Sequence, residues 1–373
     1  MKGERPSAIY GSMGRSQHWF YKWLHRYQLG GAQWFREQSR RPDTTPRRLA
    51  SEIEEIVIMV RLSLYNRDLF CGAQAIRWEL DELMVRPLPS VRTINRILVR
   101  NELTHRRTGS YEPKGRPYPS LKAEKPGDVH QSDFVGPCYL ATPLRFYSLN
   151  SVDLATRRCA TEPAITRGGQ STVDAFWNIW IRLGMPRHQQ VDNEMVFYGS
   201  QAHPRGMGSL IRLCLLHGVE PWFIPPGEPW RNGIVEKFND HWRQKFKDRV
   251  AMTSEADLRR EGPLFEQRHN TLYRYSALGG KTPAAVLAAS GVALRFPPTE
   301  EPPRYPLPKP DSGRYHLIRF IRSQGILDVF GEKFSAPDQA TYEYVRATID
   351  VGRQRLLVFL DNVLIDEHPY QLR

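Results

Sequence analysis

DVHQSDFVGPCYL (128–140) and LRFYSLNSVDLATRRCATEPAI (144–165) decide the fold. Both are enriched in β-branched and aromatic residues and punctuated by Gly-Pro, a pattern that predicts strands. Downstream the period changes. Ala175, Phe176, Ile179, Trp180 and Leu183 recur at helical spacing over about 170–183, and a short strand follows at HQQVDN (188–193). A helix over 207–217 leads into the strand VEPWFI (219–224), and WRNGIVEKFNDHWRQKFKD (230–248) predicts an amphipathic helix. Strands first, then alternating helices and strands, predict an α/β domain with a mixed sheet.

Working outward, SQHWFYKWLHRYQ (16–28) places Trp19, Phe20, Trp23, Leu24 and Tyr27 on one helical stripe, stopped by Gly30-Gly31. SRRPDTTPRR (39–48) reads as an exposed basic linker. A second unit, 49–105, shows three helical repeats of apolar residues, the last in VRTINRILVR behind a Ser90 N-cap. Its outer face carries Arg92, Thr93, Asn95, Arg96 and Arg100, residue types that contact base edges and phosphates. A helix-turn-helix with its reader helix in the major groove fits this order, as does a small bundle with a solvated face. Residues 106–126 form a Pro/Gly/basic linker, and 251–292 a helical extension. Seven prolines within 293–312 exclude a helix there. The short alternating runs of 313–373 predict a small β-barrel.

The chain has 373 residues, enough for two to three domains at about 150 residues each. Its 53 Lys+Arg against 40 Asp+Glu give a net charge of +13, and residues 1–120 carry +9 of it. A 40% hydrophobic content excludes wholesale disorder. No run approaches the roughly 20 apolar residues of a membrane span, and the stretch MKGERPSAIYGSMGR lacks the apolar run expected of a secretory signal. Cys71, Cys138, Cys159 and Cys214 are isolated, so neither a disulfide framework nor a zinc knuckle is indicated. The expectation is a soluble, cytoplasmic protein with a polyanionic partner and no membrane role.

Asp133, Asp192 and Glu236 each lie in an otherwise apolar or aromatic stretch, where an unpaired charge is costly. Three carboxylates meeting across a sheet repel one another unless divalent cations stand between them, and hard oxygen ligands suit Mg²⁺ or Mn²⁺. Spacing alone also allows each acid an ordinary salt bridge or helix cap.

The words VHQSDFVGP, SVDLATR, VDNEMVF, NGIVEKFN and ALGGKTPAAVL, in this order, resemble those of the integrase-like transposases of bacterial insertion sequences, of the IS481 and IS3 types. The likeness covers about residues 12–290. It implies a multidomain α/β protein with N-terminal helix-turn-helix modules, a ribonuclease-H-like catalytic core over 127–250, and an Asp-Asp-Glu site. Carried over, the acids are Asp133, Asp192 and Glu236, as catalytic residues and as ligands of two Mg²⁺ (or Mn²⁺) ions. Forty-three residues separate Asp192 from Glu236, more than the family's usual interval. An insertion around FYGSQAHPRGMG (197–208) accounts for the surplus. Glu228 would restore the count, but the N-G-x-V-E word favours Glu236. The helix-turn-helix of 1–48 is expected to be only partial.

The resemblance further implies a DNA transposase that cleaves strands at element ends and directs the freed 3′-hydroxyl at target DNA. Its partners would be double-stranded DNA, as terminal repeats and target, and further copies of itself, with the bacterial nucleoid as its setting. A catalytically silent DNA-binding derivative and a ribonuclease-H-like nuclease are the rival classes. On the last core helix Asn232, Lys237, His241 and Lys245 are expected to face DNA backbone, while Asn239, Asp240 and Arg243 share Glu236's side. Asp153 either belongs to the site's surroundings or orients Arg157 or Arg158. Asn193 either positions a ligand or makes a turn.

Overall fold

The stripe at Trp19–Tyr27 does form a helix, and its boundaries follow from its ends. In the computed structural model, which describes residues 4–37, 49–104, 116–199 and 205–373, Ser16 accepts a hydrogen bond from the Trp19 N–H and starts it, and Gly30 at φ 73° ends it. Two compact units are present, Met1–Glu54 and Glu55–Arg373. The first holds α1 (Pro6–Ser12) and α2 (Gln17–Leu29), neither with a buried residue. Ring contacts such as Tyr27–Trp34 at 5.2 Å, and Arg26 set 4.9 Å from the Trp23 ring, hold it together. The basic linker expected at 39–48 lies outside the described residues, as do 105–115 of the second linker and 200–204 of the expected insertion.

Three helices come next: α3 (Ser51–Asn66), which begins in the first unit, α4 (Ala73–Glu82) and α5 (Val91–Arg100). Ser90 caps α5 as expected, accepting from the Thr93 N–H at 3.2 Å. Ile76, Leu80, Ile94, Ile97 and Leu98 are buried, leaving the Arg92, Asn95, Arg96 and Arg100 face exposed. The helices are anchored to the rest of the second unit by Tyr273, whose hydroxyl donates to the Asp68 carbonyl at 2.6 Å, and by an Arg274–Glu82 ion pair at 2.9 Å.

The chain then runs through β1 (Val129–Tyr139), β2 (Arg145–Asp153), β3 (Cys159–Ala164), α6 (Gly169–Leu183), β4 (His188–Val191), α7 (Met195–Tyr198), α8 (Ser209–Leu216), β5 (Glu220–Phe223) and α9 (Gly233–Trp242). β1, β2 and β3 are antiparallel neighbours, and β4 and β5 run parallel to β1, giving the order β3-β2-β1-β4-β5. The sheet is mixed, as expected for this segment. Strand side chains alternate between faces. Phe134, Leu149 and Val191 therefore meet α6 and α8 in one core, while Val135 and Val152 meet α9 in another.

α10 (Glu255–Leu272) starts with a capping box at Ser254 and Asp257 and lies along β3. Its Asn270 side chain accepts from the Cys159 N–H and donates to the Cys159 carbonyl, at 2.9 and 3.0 Å, and its Glu266 accepts from the Thr161 N–H at 2.6 Å. α11 (Pro283–Ser290) follows. The proline-rich 293–312 is no free linker. It is strapped onto α6, with Trp177 Nε1 donating to the Thr299 carbonyl and the Tyr305 N–H donating to Gln170.

The expected barrel of 313–373 is not closed. β6 (Arg314–Phe320), β9 (Tyr344–Asp350), β10 (Arg355–Leu360) and β11 (Val363–Pro369) extend the core sheet in the order β5-β6-β9-β10-β11, through the parallel pairing of Trp222 with His316 and Phe223 with Leu317. β7 (Ile326–Val329) and β8 (Glu332–Ser335) form a separate hairpin. The reason is hydrophobic. Leu317, Ala347, Ile349, Leu356 and Val358 share one core with Val191 and Phe223. Among the described residues no helix is long and apolar enough to cross a membrane.

One buried acid gives the turn after β2 a pH dependence. Asp153, at the end of β2, accepts from the Thr156 N–H and hydroxyl and from the Gly127 N–H, with His130 Nε2 at 3.6 Å. Burial alone would raise its pKa, but these partners hold it at about 2. It thus fixes the turn after β2 rather than orienting Arg157 or Arg158. Because the folded value lies below the unfolded one of about 4, the stabilisation is complete above pH 4 and is lost as pH falls towards 2, roughly 2 kcal/mol in all. The urea midpoint of the wild type should drop across that window, and that of Asp153→Asn should drop less.

Candidate active site

Asp133 lies midway along β1, opposite Asn150 on β2, with its side chain on the face that α9 covers. Asp192 immediately follows β4, and Glu236 sits in the first turn of α9. The parallel neighbours β1 and β4, with α9 above them, bring the three acids together. The charges of Asp192, Glu194 and Glu236 all bear on Asp133. With burial as the larger cause, they push its pKa up to about 7. Asp192 and Glu194 are also raised, by burial, with Arg167 opposing. Burial and the neighbouring Asp240 raise Glu236.

Asn239, one turn beyond Glu236, donates to Asp133 Oδ2 at 2.8 Å. Its amide oxygen accepts from Asn150 Nδ2 at 2.8 Å, and Asn150 Oδ1 accepts from Ser148 at 2.7 Å. The expected support from Glu236's side of the helix therefore reaches Asp133. This is the one hydrogen bond that lowers the Asp133 pKa.

Glu194 is the acid that sequence reasoning missed. Its N–H donates to Asp192 Oδ1 at 3.0 Å, and its carboxylate pairs with Arg167 at 2.7 Å. It borders a cavity of about 930 Å³ that Arg167, Arg212 and Tyr305 also line. The available signal was its place two residues after Asp192 in VDNE. Glu228 is engaged elsewhere, accepting from Arg231 Nε at 2.9 Å and from the Tyr344 hydroxyl. It is not among the charges acting on Asp133.

Several neighbouring expectations change. Asn232 is buried and donates to the Ser132 carbonyl, so it does not face outward. His241 packs 4.6 Å from the Phe70 ring, and burial lowers its pKa to about 4, which makes it a neutral wall group rather than a phosphate contact. Lys237 is exposed and Lys245 half-buried over the Tyr65 ring. Thr93 is half-buried beside the Ser90 hydroxyl. Asn193 is engaged by protein partners on both sides of its amide. It donates to the Ile224 carbonyl and accepts at 3.0 Å from Arg319, a buried cation of β6.

The groups around Asp133 are carboxylates, half-buried and raised in pKa chiefly by burial, oxygen donors of the type that hard divalent cations take. Among the described residues no three His, Cys, Asp or Glu side chains close tightly enough to form a finished cage.

The family model described as integrase core domain matches residues 217–283, a span that contains Glu236. An uncharacterized 39.2 kDa protein of insertion element IS476 from Xanthomonas euvesicatoria is 28% identical over 214 residues, or 56% of this chain and 59% of that protein. Over these spans the chain is similar to integrase core domains and to an insertion-element protein. It matches only about three fifths of that relative's length. Solved structures with some likeness include the HTLV-2 integrase catalytic core domain in complex with magnesium, at 18% identity over 44% of this chain and 99% of that one, TM-score 0.36. A simian T-cell lymphotropic virus intasome in complex with PP2A regulatory subunit B56 gamma covers 84% of this chain and 96% of its own, at 16% identity and TM-score 0.38.

Carboxyl-selective NMR of the ion-free protein should find Asp133 titrating near 7. Asn239→Ala removes its hydrogen bond and should move the titration higher, and Asp192→Asn removes a repelling charge and should move it lower. Equal titrations in all three proteins would refute the described geometry.

Proposed function

We propose that the chain is a DNA transposase that cuts at the ends of its element and joins the freed 3′-hydroxyl to target DNA. The observation that carries this reading is the convergence of the Asp192, Glu194 and Glu236 charges on Asp133. Asp133, Asp192 and Glu236 would hold two Mg²⁺ or Mn²⁺ ions. Such ions, when bound, activate the attacking oxygen and stabilise the leaving oxygen of a phosphodiester.

The chain's own residues supply the rest. Asn239 holds Asp133 Oδ2 in place through a hydrogen bond from its side-chain amide. Lys237, exposed and adjacent to Glu236, neutralises backbone phosphate. The exposed face of α5, with Arg92, Asn95, Arg96 and Arg100, reads the terminal repeat as the second helix of a helix-turn-helix, and Thr93 positions its first turn. Further copies of the chain assemble on two DNA ends, on the nucleoid in the cytoplasm.

The test is nicking and strand transfer by the full chain on DNA carrying candidate repeats from the flanks of its gene, with Mg²⁺ present. Asp133→Asn, Asp192→Asn and Glu236→Gln should each lower cleavage by at least about 10²- to 10³-fold, the range for deleting one electrostatic group at a reacting centre, while DNA binding persists. Glu228→Gln should retain cleavage. Binding without cleavage by the wild type would identify a silent DNA-binding derivative. Preference for RNA–DNA hybrids would identify a nuclease.

A further inference from the structure

Two buried glutamines stand two residues ahead of the two aspartates. Gln131 precedes Asp133 on β1, Gln190 precedes Asp192 at the end of β4, and the pair are register partners across the parallel strands. Because strand side chains alternate, Gln131 shares the face of Asp133, and Gln190, its register partner, lies on that same face. Their exposures are 5% and 3%.

Both reach the start of α9. Gln131 Oε1 accepts from the backbone N–H groups of Ile234 and Val235, each at 3.2 Å. These belong to the first amides of the helix, which have no partner within it, and the flanking Asn232 supplies no side-chain cap. Gln190 Nε2 donates to the Arg231 carbonyl at 3.2 Å and to Asn232 Oδ1 at 3.3 Å. Asn232 Nδ2 in turn donates to the Ser132 carbonyl, back on β1. An apolar side chain would fill either position without the desolvation cost of a buried amide. What the amides add is direction: one accepts from the helix, the other donates to the turn before it.

We propose that Gln131 and Gln190 are positioning residues, which fix the start of α9, and with it Glu236, against the two strands that present Asp133 and Asp192. The inference rests on reading those three acids as one reacting site. It accounts for how a helix far along the chain is registered against β1 and β4 to within a hydrogen bond.

The two roles are of opposite polarity, and this makes them testable. Glutamate at 131 keeps an acceptor for the two helix amides, whereas glutamate at 190 sets a carboxylate against a carbonyl and an amide oxygen. Backbone hydrogen exchange of Asn232–Val235 in the ion-free full chain reads the clamp itself, and Mn²⁺ affinity reads the arrangement of the acids. Gln131→Met, Gln190→Met and Gln190→Glu should hasten exchange there and weaken Mn²⁺ binding by about 10- to 100-fold, as loss of groups supporting metal ligands does. Cooperative melting should persist. Gln131→Glu should keep the amides protected.

Wild-type exchange and affinity in Gln131→Met would overturn the proposal, and so would free exchange of these amides in the wild type. Should the methionine variants fail to fold, the contrast between the two glutamate variants decides, and equal loss of protection overturns the proposal. A wild type with protected amides that binds no Mn²⁺ would support the clamp and count against the transposase reading.

Discussion

Like charges crowded into a half-buried space set the terms for this molecule. Asp133 lies within electrostatic reach of Asp192, Glu194 and Glu236, in surroundings that already disfavour ionisation. Such a group can remain together only by binding protons, by pairing with cations, or by being held in place at the cost of stability elsewhere. All three are visible. Asp133 is pushed towards the protonated form, Arg167 neutralises Glu194, and a network of amide hydrogen bonds pins Asp133 from above. Neutral donors near a carboxylate cluster stabilise its ionised form without removing charge.

The rest of the fold braces this arrangement. Opposite faces of one sheet carry separate cores, with α6 and α8 against one and α9 against the other. The C-terminal strands contribute as well, for Arg319 of β6 reaches Asn193 beside Asp192, and Tyr344 of β9 reaches Glu228 in the loop before α9. Arg231 lies 3.9 Å from the Tyr118 ring and 5.4 Å from that of Tyr344, which ties the segment before β1 to the same loop. Two of the acid-bearing segments are thus buttressed by strands that come last in the chain.

The core was legible in the sequence because its signals are local. Strand composition and helical period identify β1 to α9, and the words that carry the family resemblance point to Asp133, Asp192 and Glu236 without knowledge of any contact. What depends on a distant partner was not legible. Alternation in 313–373 announces strands but not their neighbours, and β6 chooses β5 because their apolar faces join one core. His241 lies on the helical side that periodicity assigns to solvent, yet Phe70, from the segment between α3 and α4, covers it. Gln131 and Gln190 look like ordinary polar residues in a strand; only their parity with the two aspartates hinted at more. Glu194 was hidden by its neighbour, since one acid of the VDNE word was enough to match the family pattern.

The side chains of α10 that bond to β3 have a consequence for assembly. An unpaired outer strand is a template for strand addition from another chain. Here Asn270 and Glu266 occupy the outward N–H and C=O groups of Cys159 and the N–H of Thr161, so that rim of the sheet is sealed chemically as well as sterically. At the far rim β11 has β10 as its single described neighbour and carries Asp366, Glu367 and His368, a polar fringe that discourages sticking. At β3, a further strand would have to displace the α10 side chains before it could join the sheet.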